Sequence, residues 1–89
     1  MEHIIVFITA SGEDEAETIG RALVEARLAA CVNIIRNIRS IYRWQGKIED
    51  DAEVLMVVKT RRNLFAPLSA KVRELHSYTV PEIIALPIV

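Results

Sequence analysis

A single cysteine, Cys31, stands in the 89 residues of the chain. One thiol closes no internal disulfide and builds neither a cysteine-rich zinc site nor an iron–sulfur cluster within one chain. Glycine and proline number three each, and no linker, repeat or low-complexity stretch interrupts the chain. An excess of charge of one sign is also missing: 11 Lys+Arg against 12 Asp+Glu leave a net charge of −1. That balance argues against binding of nucleic acid through bulk positive charge. No apolar run approaches the ~20 residues of a membrane span. The start, Met1-Glu2-His3-Ile4, lacks the basic region of a secretory signal. These absences lead to the expectation of a cytoplasmic protein with neither membrane nor nucleic acid as partner.

What is present is apolar. Hydrophobic residues make up 52% and charged residues 26%, a balance that disfavours disorder, and the length suits one domain over residues 1–89. Ile4 to Ile8 is short and β-branched and reads as a buried strand. Thr9 to Gly12 is a turn, with Ser11 and Asp14 spaced as in a capping box. Glu13, Asp14 and Glu15 suit the positive end of a helix dipole. Ala16, Ile19, Leu23, Ala26 and Ala30 then recur at helical spacing, which predicts a helix to about Leu28. Cys31 to Trp44 is extended. Its apolar residues change parity, with Ile34 and Ile38 even and Ile35 and Ile41 odd, so a bulge is expected near Arg39-Ser40. Gln45-Gly46-Lys47 is a hairpin turn, and the return strand runs from about Ile48 to Thr60. Asn63 is a suitable N-cap and Pro67 a first-turn proline for a second helix ending near His76. After Pro81, Ile83 to Val89 forms a last strand, its Pro87 suited to an edge or a bulge.

The order is βαββαβ. With right-handed crossovers it gives an α+β fold: a four-stranded antiparallel sheet with two helices on one face, the ferredoxin-like plan with a long hairpin between its second and third strands. Helices cover only one face of such a sheet, so its strands should alternate apolar and polar residues. Ile4 to Ile8, Val54 to Val58 and Ile83 to Leu86 do not alternate. Half of those side chains would leave an apolar patch well above the usual few hundred Å². Another copy of the chain is the simplest cover. Cys31 to Trp44 fully extended spans roughly 45 Å, against a diameter of about 30 Å for a compact globule of this size. The hairpin therefore bends or reaches a neighbour. Both signals favour an obligate oligomer.

Function must come from residues, since this plan hosts many chemistries. The turn Thr9-Ala10-Ser11-Gly12 carries no thiol pair for a copper chaperone and no arginine cradle for acyl-phosphate hydrolysis. The third strand is aliphatic and offers no rings to stack RNA bases. No phosphate-binding loop or dinucleotide fingerprint appears. Single side chains remain, each with two readings. Cys31 is a small buried hydrophobe or a ligand. His76 is a helix-end cation or a metal ligand. Tyr42 and Trp44 pack in a subunit interface or stack on a cofactor. Lys59 and Glu82, near the sheet rim, form a structural ion pair or a catalytic pair. Arg36, Arg39 and Arg43 make no clean basic stripe, and Glu49-Asp50-Asp51 reads as a solvated turn.

Taken together, Ala30-Cys31-Val32-Asn33-Ile34, Ser40-x-Tyr42-x-Trp44-x-Gly46-Lys47-Ile48, Glu53, Lys59-Thr60 and His76-x-Tyr78-x-x-Pro81-Glu82-Ile83 resemble the CutA family of divalent-cation tolerance proteins, over essentially the whole chain. The resemblance implies a small cytoplasmic, non-enzymatic homotrimer similar to the PII nitrogen-signalling proteins, with Tyr42 and Trp44 in the trimer interface. It implies a cleft between subunits holding Trp44, Glu53, Lys59 and Tyr78, and a tie to copper or another divalent cation through His76, Cys31 and Glu82. Ile8 and Leu75 stand where the bacterial copper pattern has a cysteine and a first histidine, so metal binding is expected to be weak. The resemblance further implies a C-terminal segment beyond Val89. The alternatives are a PII-like small-molecule sensor or an enzyme using the cleft, with Lys59 and Glu82 as charged anchors, and a structural trimer without a ligand.

Overall fold

A β-branched run at the start of the chain forms the first strand, β1 (His3–Ala10). A computed structural model describes residues 2–89. After β1 come α1 (Glu13–Glu25), β2 (Cys31–Trp44), β3 (Lys47–Arg61), a 3-10 turn over Arg62–Leu64, α2 (Phe65–Leu75) and β4 (Ile83–Pro87). The strands lie in the order β2-β3-β1-β4, and every pairing is antiparallel. This is the expected ferredoxin-like sandwich.

Ile4, Val6, Ile8 and Ala10 of β1 meet Val54, Met56 and Val58 of β3 beneath Ala16, Ile19 and Leu23 of α1 and Leu68 and Val72 of α2, all buried. Close packing lets α1 approach the sheet: a Cβ on Gly20 would lie 3.3 Å from Val32 Cγ1. Thr60, facing the same core, donates its hydroxyl to the Leu28 carbonyl at 2.7 Å.

The ends of the elements depart from the sequence expectations for local reasons. Helix α1 stops at Glu25, not near Leu28, because Arg27 takes a left-handed conformation at φ 59°. The Arg27 and Leu28 amides then donate back to Val24 and Leu23 carbonyls at 3.1 and 2.9 Å, a Schellman closure without its usual glycine. At the other end Gly12, not Ser11, is the N-cap. Ser11 instead donates both its amide and its hydroxyl to Glu15, each at 2.9 Å, so Glu15 takes the role expected of Asp14. Asn63 falls inside the 3-10 turn, and Leu64 precedes α2 with no side-chain cap. The last strand ends at Pro87, on a free edge opposite Ile4.

The bulge lies earlier than expected. Pairing of β2 with β3 shifts between Ile35 and Ile38, not at Arg39-Ser40, and Asn37 adopts φ 59° there. Before the shift, Asn33 and Ile35 share a face with Val57 and Leu55; after it, Ile38, Ser40 and Tyr42 share that face with Glu53, Asp51 and Glu49. The change of parity read in the sequence is this inserted residue. Beyond Val54, β1 no longer accompanies β3, so the hairpin continues as a two-stranded ribbon and stretches the domain to 41 × 26 × 21 Å. Its acidic stretch, expected to be a solvated turn, is strand: Asp50 takes a bidentate contact from Arg39 at 2.8 and 2.6 Å. Gln45 and Gly46, at φ 51° and 79°, close the ribbon as a tight primed turn.

The left-handed bulge residue yields a prediction. Asn tolerates that conformation, a β-branched side chain does not. Asn37→Val should lower stability by ~1–2 kcal/mol, while Asn37→Gly should stay within about 0.5 kcal/mol of the parent. Thermal unfolding of both variants at one protein concentration checks this; equal stability of the two would remove the bulge's conformational demand.

Candidate functional site

The sheet face away from the helices carries Ile5, Phe7 and Thr9 of β1, Leu55 and Val57 of β3 and Ile84 and Leu86 of β4, by register. Ile84 and Leu86 are each 50% exposed. Where this face meets the ribbon and the loop between α2 and β4, a groove of about 750 Å³ opens. Thr9 and Leu55 form its floor, Tyr42, Trp44 and Glu53 its ribbon wall, and Tyr78 and Glu82 its loop wall. The bulge puts Tyr42 and Trp44 on this side; without it their parity would turn them away.

The groove's polar groups are interlocked. Tyr78 donates its hydroxyl to Glu53 Oε2 at 2.6 Å, and its amide to His76 Nδ1 at 3.0 Å. The other ring nitrogen, His76 Nε2, lies 2.7 Å from the Thr9 carbonyl. A carbonyl only accepts and an amide only donates, so His76 is held as the Nε2–H tautomer with both nitrogens engaged. Its side chain has no exposed surface, and its ring tilts against Tyr78 with centroids 4.6 Å apart. Glu15 ties the two loops together: one carboxylate oxygen takes the Ser11 contacts, and the other accepts the Ser77 amide at 2.7 Å. Burial pushes the Glu15 carboxyl up, but the hydrogen bonds from Ser11 and Ser77 outweigh it and bring it down to about 2. Burial and the bond to Glu53 hold the Tyr78 phenol above its ordinary value. Tyr42 gives its hydroxyl to Asp51 at 2.6 Å, and that bond, with the surrounding acids, pushes its phenol up to about 12.

The expected site residues fall into two groups. Trp44, Tyr42, Glu53, Tyr78 and Glu82 meet at the groove, and His76 supports it from behind. Cys31 and Lys59 pair with each other far along the sheet, beside Ile5. Glu82 lies beyond the Ile8–Ile83 pair at the opposite end, so Lys59 and Glu82 form neither an ion pair nor a catalytic pair within the chain. His76, Cys31 and Glu82 likewise do not converge, and no group of three metal-ligating side chains gathers among the described residues. With both His76 nitrogens occupied, the donors of one chain do not fit a resident metal ion. Sequence reading missed Glu15 and Ser77 as site-forming residues. A signal was available: Ser11 stands four residues before Glu15 in the first helical turn.

The chain is thus a ferredoxin-like α+β domain whose overhanging hairpin and α2–β4 loop enclose an aromatic, acidic groove. The description "CutA1 divalent ion tolerance protein" matches residues 4–89, and the chain belongs to that family. It is 56% identical over 84 residues to the "Divalent-cation tolerance protein CutA" of Thermus thermophilus, covering 94% of this chain and 82% of that protein. It is 55% identical to the human "Protein CutA" over 92% of this chain, but spans only 46% of that longer protein. The solved Thermus thermophilus structure superposes with a TM-score of 0.95 at 54% identity, over 98% of this chain and 84% of that one. CutA1 from Oryza sativa gives a TM-score of 0.97 at 40% identity, over 100% of this chain and 82% of that one.

Glu15 supplies a pH prediction. Its folded-state value of about 2 lies below the ordinary 4.5, so its stabilisation is complete above pH 4.5 and is lost as pH falls through 2. Glu15→Gln should lower stability at neutral pH and flatten the acid limb between pH 4.5 and 2. A series of thermal midpoints against pH checks this; an unchanged acid slope would mean that Glu15 is not the titrating group.

Proposed function

We propose that this protein is a non-enzymatic homotrimer of the divalent-cation tolerance type, acting through a cleft between its subunits. One observation carries the reading: the sheet face opposite the helices is apolar across three strands and uncovered within one chain. Burial of a Val, Leu, Ile or Phe is worth ~1.5–3 kcal/mol each, so a second surface is strongly favoured there. The ribbon beyond Val54 supplies a reaching arm, and Trp44, 46% exposed within one chain, has no local core to enter. The number three comes from the family resemblance. Assembly would bring the Cys31–Lys59 end of one copy towards the groove of another and so unite the two groups of site residues.

Copper or another divalent cation enters this reading as a weak ligand shared between copies, since one chain gathers no donor set for it. A second reading, a PII-like small-molecule sensor, is favoured by the groove itself, whose ~750 Å³ suits a small organic ligand. The cytoplasmic location belongs to the proposal as well. No helix of the described residues is long and apolar enough to cross a membrane, and relatives carry names that include "chloroplastic" and "Periplasmic".

Sedimentation at micromolar concentration should give three times the 10.0 kDa chain mass; a stable monomer would overturn the reading. Trp44→Ala should weaken assembly more than the fold of one subunit, since truncating a buried Trp costs ~3–5 kcal/mol in each copy. Emission of Trp44, the only tryptophan, should be blue-shifted and poorly quenched by iodide in the assembly. Red-shifted, freely quenched emission from an intact trimer would place it in solvent.

A further inference from the structure

Glu15 spends its carboxylate on backbone outside its own helix. The side chain is only 14% exposed. One oxygen accepts the Ser11 amide and hydroxyl, and the other accepts the Ser77 amide on the far side of the sandwich. Hydrogen bonds from backbone amides to a carboxylate are among the strong ones, and removing the acceptor strands each donor.

Ser77 begins the loop between α2 and β4. That loop is fastened at its base to three elements: His76 to the Thr9 carbonyl of β1, Ser77 to Glu15 of α1, and Tyr78 to Glu53 of β3. Past Tyr78 the fastening ends. Thr79, Val80 and Glu82 make no side-chain hydrogen bond or ion pair among the described residues. Val80 is 70% exposed and stands on the groove side of the loop. It adds to the uncovered apolar surface of Ile84 and Leu86 on the strand that follows. The loop therefore holds out an apolar side chain on a base pinned from behind, next to the face that assembly would cover.

We propose that the α2–β4 loop is a strap against which a neighbouring copy of the chain packs, and that Glu15, by fixing the Ser77 end of the strap, is the positioning residue that sets how tightly the copies hold together. Ordering a segment at an interface costs conformational entropy, and Glu15 orders this one before any neighbour arrives. The proposal rests on the trimer reading and deepens it, by naming a residue that governs assembly through the loop.

Hydrogen exchange and sedimentation of the whole chain test it. In Glu15→Ala the Ser77 and Tyr78 amides should exchange about tenfold faster relative to those of β1, and the concentration at which the trimer dissociates should rise at least about tenfold. Ser11→Ala removes a hydrogen bond to the same carboxylate but leaves the Ser77 tie, so both quantities should stay within about threefold of the parent. Tyr78→Phe cuts the strap from Glu53 at its other fastening. It should ease dissociation while the Ser77 amide stays protected, and it decides the matter if Glu15→Ala does not fold. Equal acceleration of loop and β1 amides in Glu15→Ala, an unchanged dissociation concentration, or an equal effect of Ser11→Ala would make Glu15 a stability residue alone and overturn the proposal. A monomeric parent would overturn the trimer reading and this coupling together, whereas a trimeric parent indifferent to Glu15→Ala would overturn this inference only.

Discussion

Between Ile35 and Ile38 the ladder joining β2 to β3 changes register, and Asn37 bends there through φ 59°. Side chains alternate faces along a strand, so one inserted residue exchanges the two faces of all that follows. Up to Ile35 the odd positions of β2 share the open face with Leu55 and Val57; from Ile38 the even positions share it with Glu53 and Asp51. Tyr42 and Trp44 reach the groove on this account, while Ile41 turns to the other side and stays 65% exposed. The aromatic side of the groove depends on that one irregularity, whereas Glu53 keeps its face through the unbroken alternation of β3.

The groove's other wall has no regular structure to hold it. Residues from His76 to Glu82 run between α2 and β4, and polar contacts fasten them. His76 bonds back to the end of β1 through Thr9, and Glu15 reaches from α1 to the Ser77 amide. Tyr78 closes the ring onto Glu53 of the ribbon. Each bond crosses between elements distant in the chain, so the loop keeps its place only while the whole sandwich is folded. This explains how a histidine with the residue type of a metal ligand serves as a positioning group: both its nitrogens are needed to hold the loop.

Much of the fold was legible because burial patterns repeat locally. The unbroken run from Ile4 to Ile8 announces a strand, the spacing of Ala16, Ile19 and Leu23 a helix, and Gln45-Gly46 a tight turn. The boundaries were less legible. Arg27 ends α1 in a conformation that usually selects glycine, and the bulge, expected near Arg39-Ser40 from the change of apolar parity, lies earlier, between Ile35 and Ile38, because parity signals an inserted residue without fixing its place. Of the site, Tyr42, Trp44, Glu53, Tyr78 and Glu82 were named from the sequence and share the groove. Glu15 was read only as a charge on a helix dipole. Its partners Ser77 and, at 3.9 Å, His76 lie on another element, and no local pattern joins them.

The sequence by itself determined the element order, the core residues and the apolar character of both sheet faces, since each follows from side-chain chemistry repeating at the strand or helix period. It also carried the family, because spaced motifs survive without knowledge of their contacts. Only the tertiary structure decided which candidate residues meet. Cys31 and Lys59 stand at one end of the sheet and Glu53, Tyr78 and Glu82 at the other, although all had equal claim to one cleft. Proximity across strands is set by register, and here register turns on a single bulged residue whose effect is invisible until its partner strand is in place.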